Sequence, residues 1–259
     1  MPHAHAVARL RAARMAAATK PFNARGSAPG RCERCRLYGP WCICAWQPRV
    51  DTHAGVCLLM GDIESLKPSN TGWLIADLVA ETHAFQWSRT VIDPALIALL
   101  ADPQWQPYVV FPGEFVAPER VVTSLLPATP ATATGAPRRP LFVLLDGTWS
   151  EARKMFNKSR YLDALPVLSL HPEQRSNYRL RRAARDDHFC TAEVGAMCLE
   201  LAGEAGAAQA LAAWLDLFTE HYLLGKQNRP AALASAAHER IRAINAASVS
   251  AGPGAAPVR

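Results

Sequence analysis

The chain lacks any unbroken apolar run of about 18 residues, which excludes an ordinary transmembrane helix. It has no P-loop, no GxGxxG behind a strand and no HExxH, so three common nucleotide, dinucleotide and zinc-protease signatures are missing. Acid is absent from residues 1–28, where Arg9, Arg11, Arg14, Lys20 and Arg25 lie among small residues. The same stretch has no continuous apolar h-region, so no secretory signal is expected. The expected compartment is therefore cytoplasmic and reducing, with no membrane partner. Charged residues reach only 19%, too few for a highly charged disordered chain.

Half of the 259 residues are apolar, enough for a sizeable core, although 47 of them are Ala and bury little each. The 28 basic side chains outnumber the 22 acids by six, a balance that suits a polyanion such as nucleic acid. Short apolar runs at 54–60, 83–88, 108–111, 141–145 and 167–170 read as buried strands. Helical patterns span 72–81, 94–100, 149–157, 190–202 and 209–224. Strands separated by helices predict an α/β fold with a mainly parallel sheet, whose ligands sit beyond the carboxyl ends of the strands. The expected division is a disordered basic extension (1–28), a small zinc-binding module (29–50), a catalytic domain (51–226) and a C-terminal helix and tail (227–259).

Seven cysteines are present, and four fall within thirteen residues: Cys32, Cys35, Cys42 and Cys44. CxxC supplies two soft ligands and CxC two more, with Gly39 and Pro40 reversing the chain between them. Four thiolates close a tetrahedron, so a structural zinc is predicted, with four free or redox-active thiols as the alternative. Arg31, Arg34 and Arg36 around it are placed to touch phosphate. Cys57, Cys190 and Cys198 read as buried thiols.

The most apolar strand, 141–145, runs straight into Asp146-Gly147-Thr148-Trp149. A carboxylate there stands at a pocket edge, or else Asp146 or Thr148 caps the next helix; Trp149 reads as core. Lys67-Pro68-Ser69-Asn70-Thr71 ends at a helix start and either caps it or binds an anion. Arg175, Arg179, Arg181, Arg182 and Arg185 form one basic cluster around Tyr178; Arg153, Lys154, Lys158 and Arg160 form a second. Phosphate contact and a solvated face remain alternatives for both clusters. Tyr178 or Trp87 can stack on a base or simply pack.

These motifs together resemble the DTW-motif aminocarboxypropyltransferase family, from about Cys32 to Gly225. The resemblance rests on the cysteine cluster, residues 67–72, Phe85-Gln86-Trp87-Ser88-Arg89, Val110-Phe111-Pro112, Asp146-Gly147-Thr148-Trp149 with Glu151-Ala152-Arg153-Lys154-Met155, Tyr178-Arg179-Leu180-Arg181 and Thr191-Ala192-Glu193. It implies a SPOUT-like fold with a C-terminal trefoil knot, S-adenosylmethionine as donor, and a tRNA uridine N3, in the variable loop, as acceptor. On that resemblance Asp146, Thr148 and Trp149 are the catalytic candidates. Phe111, Pro112, Leu145, Asp146, Gly147, Tyr178, Leu180, Thr191 and Glu193 would line the donor site. Lys67, Ser69, Asn70, Thr71, Arg89, Arg153, Lys154, Arg179 and Arg181 would face RNA. The alternatives are a SPOUT-type RNA methyltransferase and a non-catalytic zinc-containing RNA-binding protein. Asp146 is either the base for the N3 proton or the anchor of the donor's amino group.

Overall fold

The computed structural model describes residues 4–19, 30–127, 135–170, 189–231 and 234–250, with side chains to residue 247. Six strands form one sheet: β1 (Gly55–Met60), β2 (Thr82–Gln86), β3 (Trp105–Val110), β4 (Val121–Val122), β5 (Arg139–Asp146) and β6 (Val167–Leu168). Their spatial order is β2-β1-β5-β3-β6-β4, and every pairing is parallel. The helices are α1 (Ala6–Ala16), α2 (Gly72–Leu78), α3 (Pro94–Ala101), α4 (Trp149–Lys158), α5 (Thr191–Leu201), α6 (Ala205–Lys226) and α7 (Ala236–Ser250).

Side chains alternate across a strand, so an all-parallel sheet covered on both faces requires apolar residues at every position. That explains the unbroken runs in β1 and β5. Val56, Leu58, Met60, Phe142 and Leu144 point into one core with α2, α5, α6 and the cysteine region. Cys57, Leu59, Leu141 and Val143 point into the other, with Leu96 and Leu99 of α3 and Ala152 and Phe156 of α4.

The order of the strands positions the site. The chain leaves β1 toward β2 on one side and places β3 on the other. β5 then inserts between β1 and β3. The tip of β5 therefore stands at the topological switch point, where open α/β sheets place their ligands. Register puts Asp146 level with Met60, and Met60 level with Gln86, so these strand ends form one edge.

The expected disordered extension is corrected over residues 6–16, which form α1. Ala and Arg both favour helix, and this segment has nothing that breaks it. Val7 is fully buried in the larger core. Arg11 donates to the Leu66 carbonyl at 2.6 Å, and Arg14 pairs with Asp62 at 2.8 Å. The short edge strand β4, only two residues long, carried too little pattern to be foreseen. The trefoil knot depends on the path of residues 171–188, which lie outside the described residues. So do residues 20–28 and the tail from 251.

His5 caps α1 by accepting the Ala8 N–H at Nδ1, 3.2 Å away, which leaves Nε2 as its donor toward Asp77 Oδ1 at 3.5 Å. Trp214 of α6 donates to the other Asp77 oxygen at 3.0 Å. Burial pushes the Asp77 carboxyl up to about 7; burial and then Arg36 push His5 down to about 4. An acid whose folded value is raised binds more protons folded than unfolded, so its cost to stability grows from its ordinary value up to the raised one. Asp77→Asn should therefore be progressively more stable than the wild type as pH rises from about 4 to 7, read as the difference in melting temperature. A difference that stays flat across that window would contradict the burial assigned to Asp77.

Candidate active site and four-cysteine knuckle

The knuckle starts from two backbone bonds. Cys32 N donates to Leu37 O at 2.7 Å, and Arg36 N donates to Cys32 O at 2.8 Å. A turn at Gly39–Trp41 then brings the second cysteine pair back. The Cys32 and Cys44 sulfurs stand 3.6 Å apart, as do those of Cys35 and Cys42, and all four lie within 4.8 Å of one another. Sulfurs about 2.3 Å from a tetrahedral zinc lie about 3.8 Å from each other, so this donor set fits zinc with little adjustment. The hydrogen bond from Cys44 holds the Cys35 thiol down to about 5. Burial pushes Cys42 up, and the bond with Cys35 pushes Cys44 up. Four thiolates this close together need a dication between them.

Of the three arginines expected on phosphate, Arg36 turns inward instead and is 3% exposed. Its guanidinium lies 4.4 Å from the Trp73 ring and donates to the Asn70 carbonyl at 2.9 Å. Arg31 lies over Tyr38 at 4.0 Å, and Arg34 donates to Gln47 at 3.1 Å.

At the tip of β5 the two readings of the corner separate. Thr148 is the cap of α4: it accepts from Glu151 N at 3.3 Å, while Thr148 N donates to Glu151 Oε2 at 2.8 Å, a complete capping box. Asp146 is free of that duty. It is 2% exposed, and it accepts from Asn70 Nδ2 through Oδ2 at 2.6 Å and from Thr191 Oγ1 through Oδ1 at 2.6 Å. Asn70 cannot be flipped, because its Oδ1 accepts the Trp73 N–H at 3.0 Å and only Nδ2 is left to face the carboxylate. The starts of α2 and α5 thus meet on one carboxylate.

Gly72 makes that meeting possible. A Cβ there would stand 2.8 Å from Asp146 Oδ2 and 3.3 Å from Leu58 Cδ1. The signal was visible, since glycine is a poor choice inside a helix, but only the fold says what crowds it.

Beside the corner, Trp149 stacks on Phe111 (centroids 5.5 Å, 10°), and Phe111 stacks on Phe156 at 4.3 Å. Phe115 leans on Trp149, and Arg153 lies 5.0 Å above Phe115. Trp149 is thus half-buried, with Phe115 exposed at the rim. Pro112 is exposed just past β3, and Leu145 and Gly147 flank Asp146. Glu193 accepts from Cys190 N at 2.8 Å, so it serves the cap of α5.

The residues expected on RNA divide. Arg89, Arg153 and Lys154 are exposed along the carboxyl edge, and Ser69 is half-buried. Lys67 pairs with the buried Glu64. Asn70 and Thr71 are corrected: both are buried, one on Asp146 and the other accepting from Ala192 N at 3.3 Å. Of the two readings offered, helix capping is the one their contacts show, with Asn70 Oδ1 on Trp73 N and Thr71 Oγ1 on Ala192 N. Tyr178, Arg179, Leu180 and Arg181, with the rest of the basic cluster, lie outside the described residues. A groove of about 330 Å³ runs from Gly61 past Trp87 and Arg89 to Lys154 and Met155. Gly61 N donates to Asp146 O at 2.8 Å, so the groove abuts the corner.

A DTW domain family model matches residues 30–223. The chain belongs to the DTW domain family. No solved structure matches it. Within the DTW domain lie the knuckle, the Asp146 corner and the groove, while α1 and α7 flank it. Among the described residues no helix is long and apolar enough to cross a membrane.

Two outcomes follow from this geometry. Gly72→Ala should destabilise by about 1–3 kcal/mol in urea unfolding through overpacking against Asp146, although helix propensity alone favours Ala by about 1 kcal/mol. A stabilised variant would show that the close approach is not real. Purified protein should carry about one zinc per chain by elemental analysis and lose it as pH falls, because protons compete for the thiolates. Metal-free protein at neutral pH would refute the site.

Proposed function

We propose that this DTW domain transfers the 3-amino-3-carboxypropyl group of S-adenosylmethionine to N3 of a tRNA uridine, with the variable loop as the target. The observation that carries the reading is the buried Asp146 carboxylate, held by Asn70 and Thr191 at the switch point, with the Asp146 backbone carbonyl bonded to Gly61 on a groove that Asp62, Arg89, Glu151 and Lys154 also line.

The reaction is a displacement at the γ-carbon of the methionine arm. An N3–carbon bond forms as the carbon–sulfur bond breaks. The electron pair stays on sulfur, the sulfonium becomes neutral 5′-methylthioadenosine, and the N3 proton is lost to solvent in the open groove. Selectivity is positional: three carbons surround the sulfur, and the one turned toward the acceptor reacts. That requires the amino-acid arm to be fixed.

Asp146 suits this task. Each of its oxygens already accepts a hydrogen bond, an arrangement that favours a carboxylate keeping its charge. A fixed negative charge attracts the donor's ammonium group, which favours the anchor role over the base. The aromatic face of Trp149 and Phe115 borders the same edge and offers an apolar surface to the nucleoside. Arg89, Arg153 and Lys154 supply positive charge for the RNA backbone, which makes affinity fall with salt. The four cysteines would hold a structural zinc that supplies no chemistry to the transfer.

Incubating the metal-loaded protein with tRNA and S-adenosylmethionine should yield a uridine heavier by one aminocarboxypropyl group, together with methylthioadenosine, both seen by mass analysis. Asp146→Ala should abolish both products. S-adenosylhomocysteine in their place would assign a methyl transfer instead, and no consumption of donor would remove catalysis from the account.

A further inference from the structure

We infer that Arg36 is a positioning residue for the Asp146 corner, through which the cysteine knuckle sets the geometry of the site. The inference rests on the reading of Asp146 proposed above.

The chain of contacts is continuous. Arg36 directly follows Cys35, one of the four sulfur ligands. Its backbone has φ 63°, the left-handed region in which a side-chain-bearing residue is uncommon and costs energy. Glycine or asparagine is the ordinary choice there, so the long side chain is kept for what it reaches. The knuckle enforces the conformation, since Arg36 N is bonded to Cys32 O. From that position the guanidinium enters the core between Trp73 at 4.4 Å and Phe218 at 5.2 Å. It then donates to Asn70 O at 2.9 Å and lies 3.5 Å from Lys67 O.

The Asn70 carbonyl needs this donor. It lies one residue before Thr71, the cap residue of α2, where no helical N–H returns to it, and Leu74 N bonds to Thr71 O at 3.0 Å. A buried carbonyl without a donor costs about 1–3 kcal/mol, so Arg36 fixes the backbone of Asn70. The Asn70 side chain then has one place to go: Oδ1 to Trp73 N and Nδ2 to Asp146 Oδ2. Movement of Arg36 therefore reaches the carboxylate through a single residue. Lysine cannot replace it, because a point-charge ammonium lacks the planar fork that stacks and donates together. A metal held by the four cysteines next to Arg36 would stand outside the reaction yet set the site's geometry by holding this arm.

The test compares metal-loaded wild type, the same protein after chelation, and metal-loaded Arg36→Lys. Amide hydrogen exchange is read at Trp73 and Gly61, whose N–H groups bond to Asn70 Oδ1 and Asp146 O. Exchange at both should rise by at least about tenfold in the chelated protein and in Arg36→Lys, while the variant keeps its zinc. Donor binding by calorimetry should weaken by about 10- to 100-fold in Arg36→Lys, the usual effect of losing a group that orients a site residue, with the stoichiometry still one per chain. A merely unfolded fraction would lower the stoichiometry and leave the dissociation constant alone. Unchanged exchange at Trp73 in either altered protein overturns the coupling, and the chelated wild type decides it even where Arg36→Lys does not fold. If wild type binds no donor, the functional reading falls while the exchange result still judges the coupling.

Discussion

The hydrogen bond from Asn70 to Asp146, matched by the one from Thr191, is the constraint around which this structure is arranged. A carboxylate that is 2% exposed and unpaired would cost several kcal/mol. Each neighbour is shaped by the need to pair it. β5 inserts late, between β1 and β3, and carries the acid to the switch point. Gly72 has no side chain because the acid passes there. α2 and α5 start at the carboxylate and turn a polar side chain from each N-terminus toward it. Thr148 caps α4 with Glu151, which frees Asp146 from helix duty.

Much of the frame was legible because an all-parallel sheet leaves a plain record. The strands around 54–60 and 141–145 had to be apolar throughout, and their helices had to follow at intervals. The four-cysteine cluster was equally plain, since no ordinary packing needs that spacing. Side-chain direction was not legible. Asn70 and Thr71 looked like anion ligands, because capping and anion binding use the same residue types at a helix start. Arg36 looked like a surface cation because nothing local to the sequence says that its backbone turns left-handed and sends it inward. The extension at 1–28 looked disordered because its few apolar residues form a weak stripe. What fixes α1 is tertiary: Val7 in the core, and Arg11 and Arg14 on the loop after β1.

The site also divides its labour by depth. At the floor, Asn70 and Thr191 donate to a buried carboxylate. At the wall, Phe156, Phe111 and Trp149 form a stack that reaches the rim beside Phe115. At the edge, Arg89, Arg153 and Lys154 leave positive charge in solvent, where it attracts a polyanion without the desolvation cost of burial. Negative charge at the floor and positive charge at the rim thus stand at different levels of the same edge. The knuckle supports the floor from beneath, by way of Arg36.

The central claim is that Asp146 anchors the donor through its charge. The most direct measurement is calorimetric titration of S-adenosylmethionine into metal-loaded wild type and into Asp146→Asn, which keeps the shape and removes the charge. The account predicts one site per chain in the wild type and an affinity at least about tenfold weaker in the variant, a loss of about 1.4 kcal/mol or more. Equal affinities for the two proteins would contradict it.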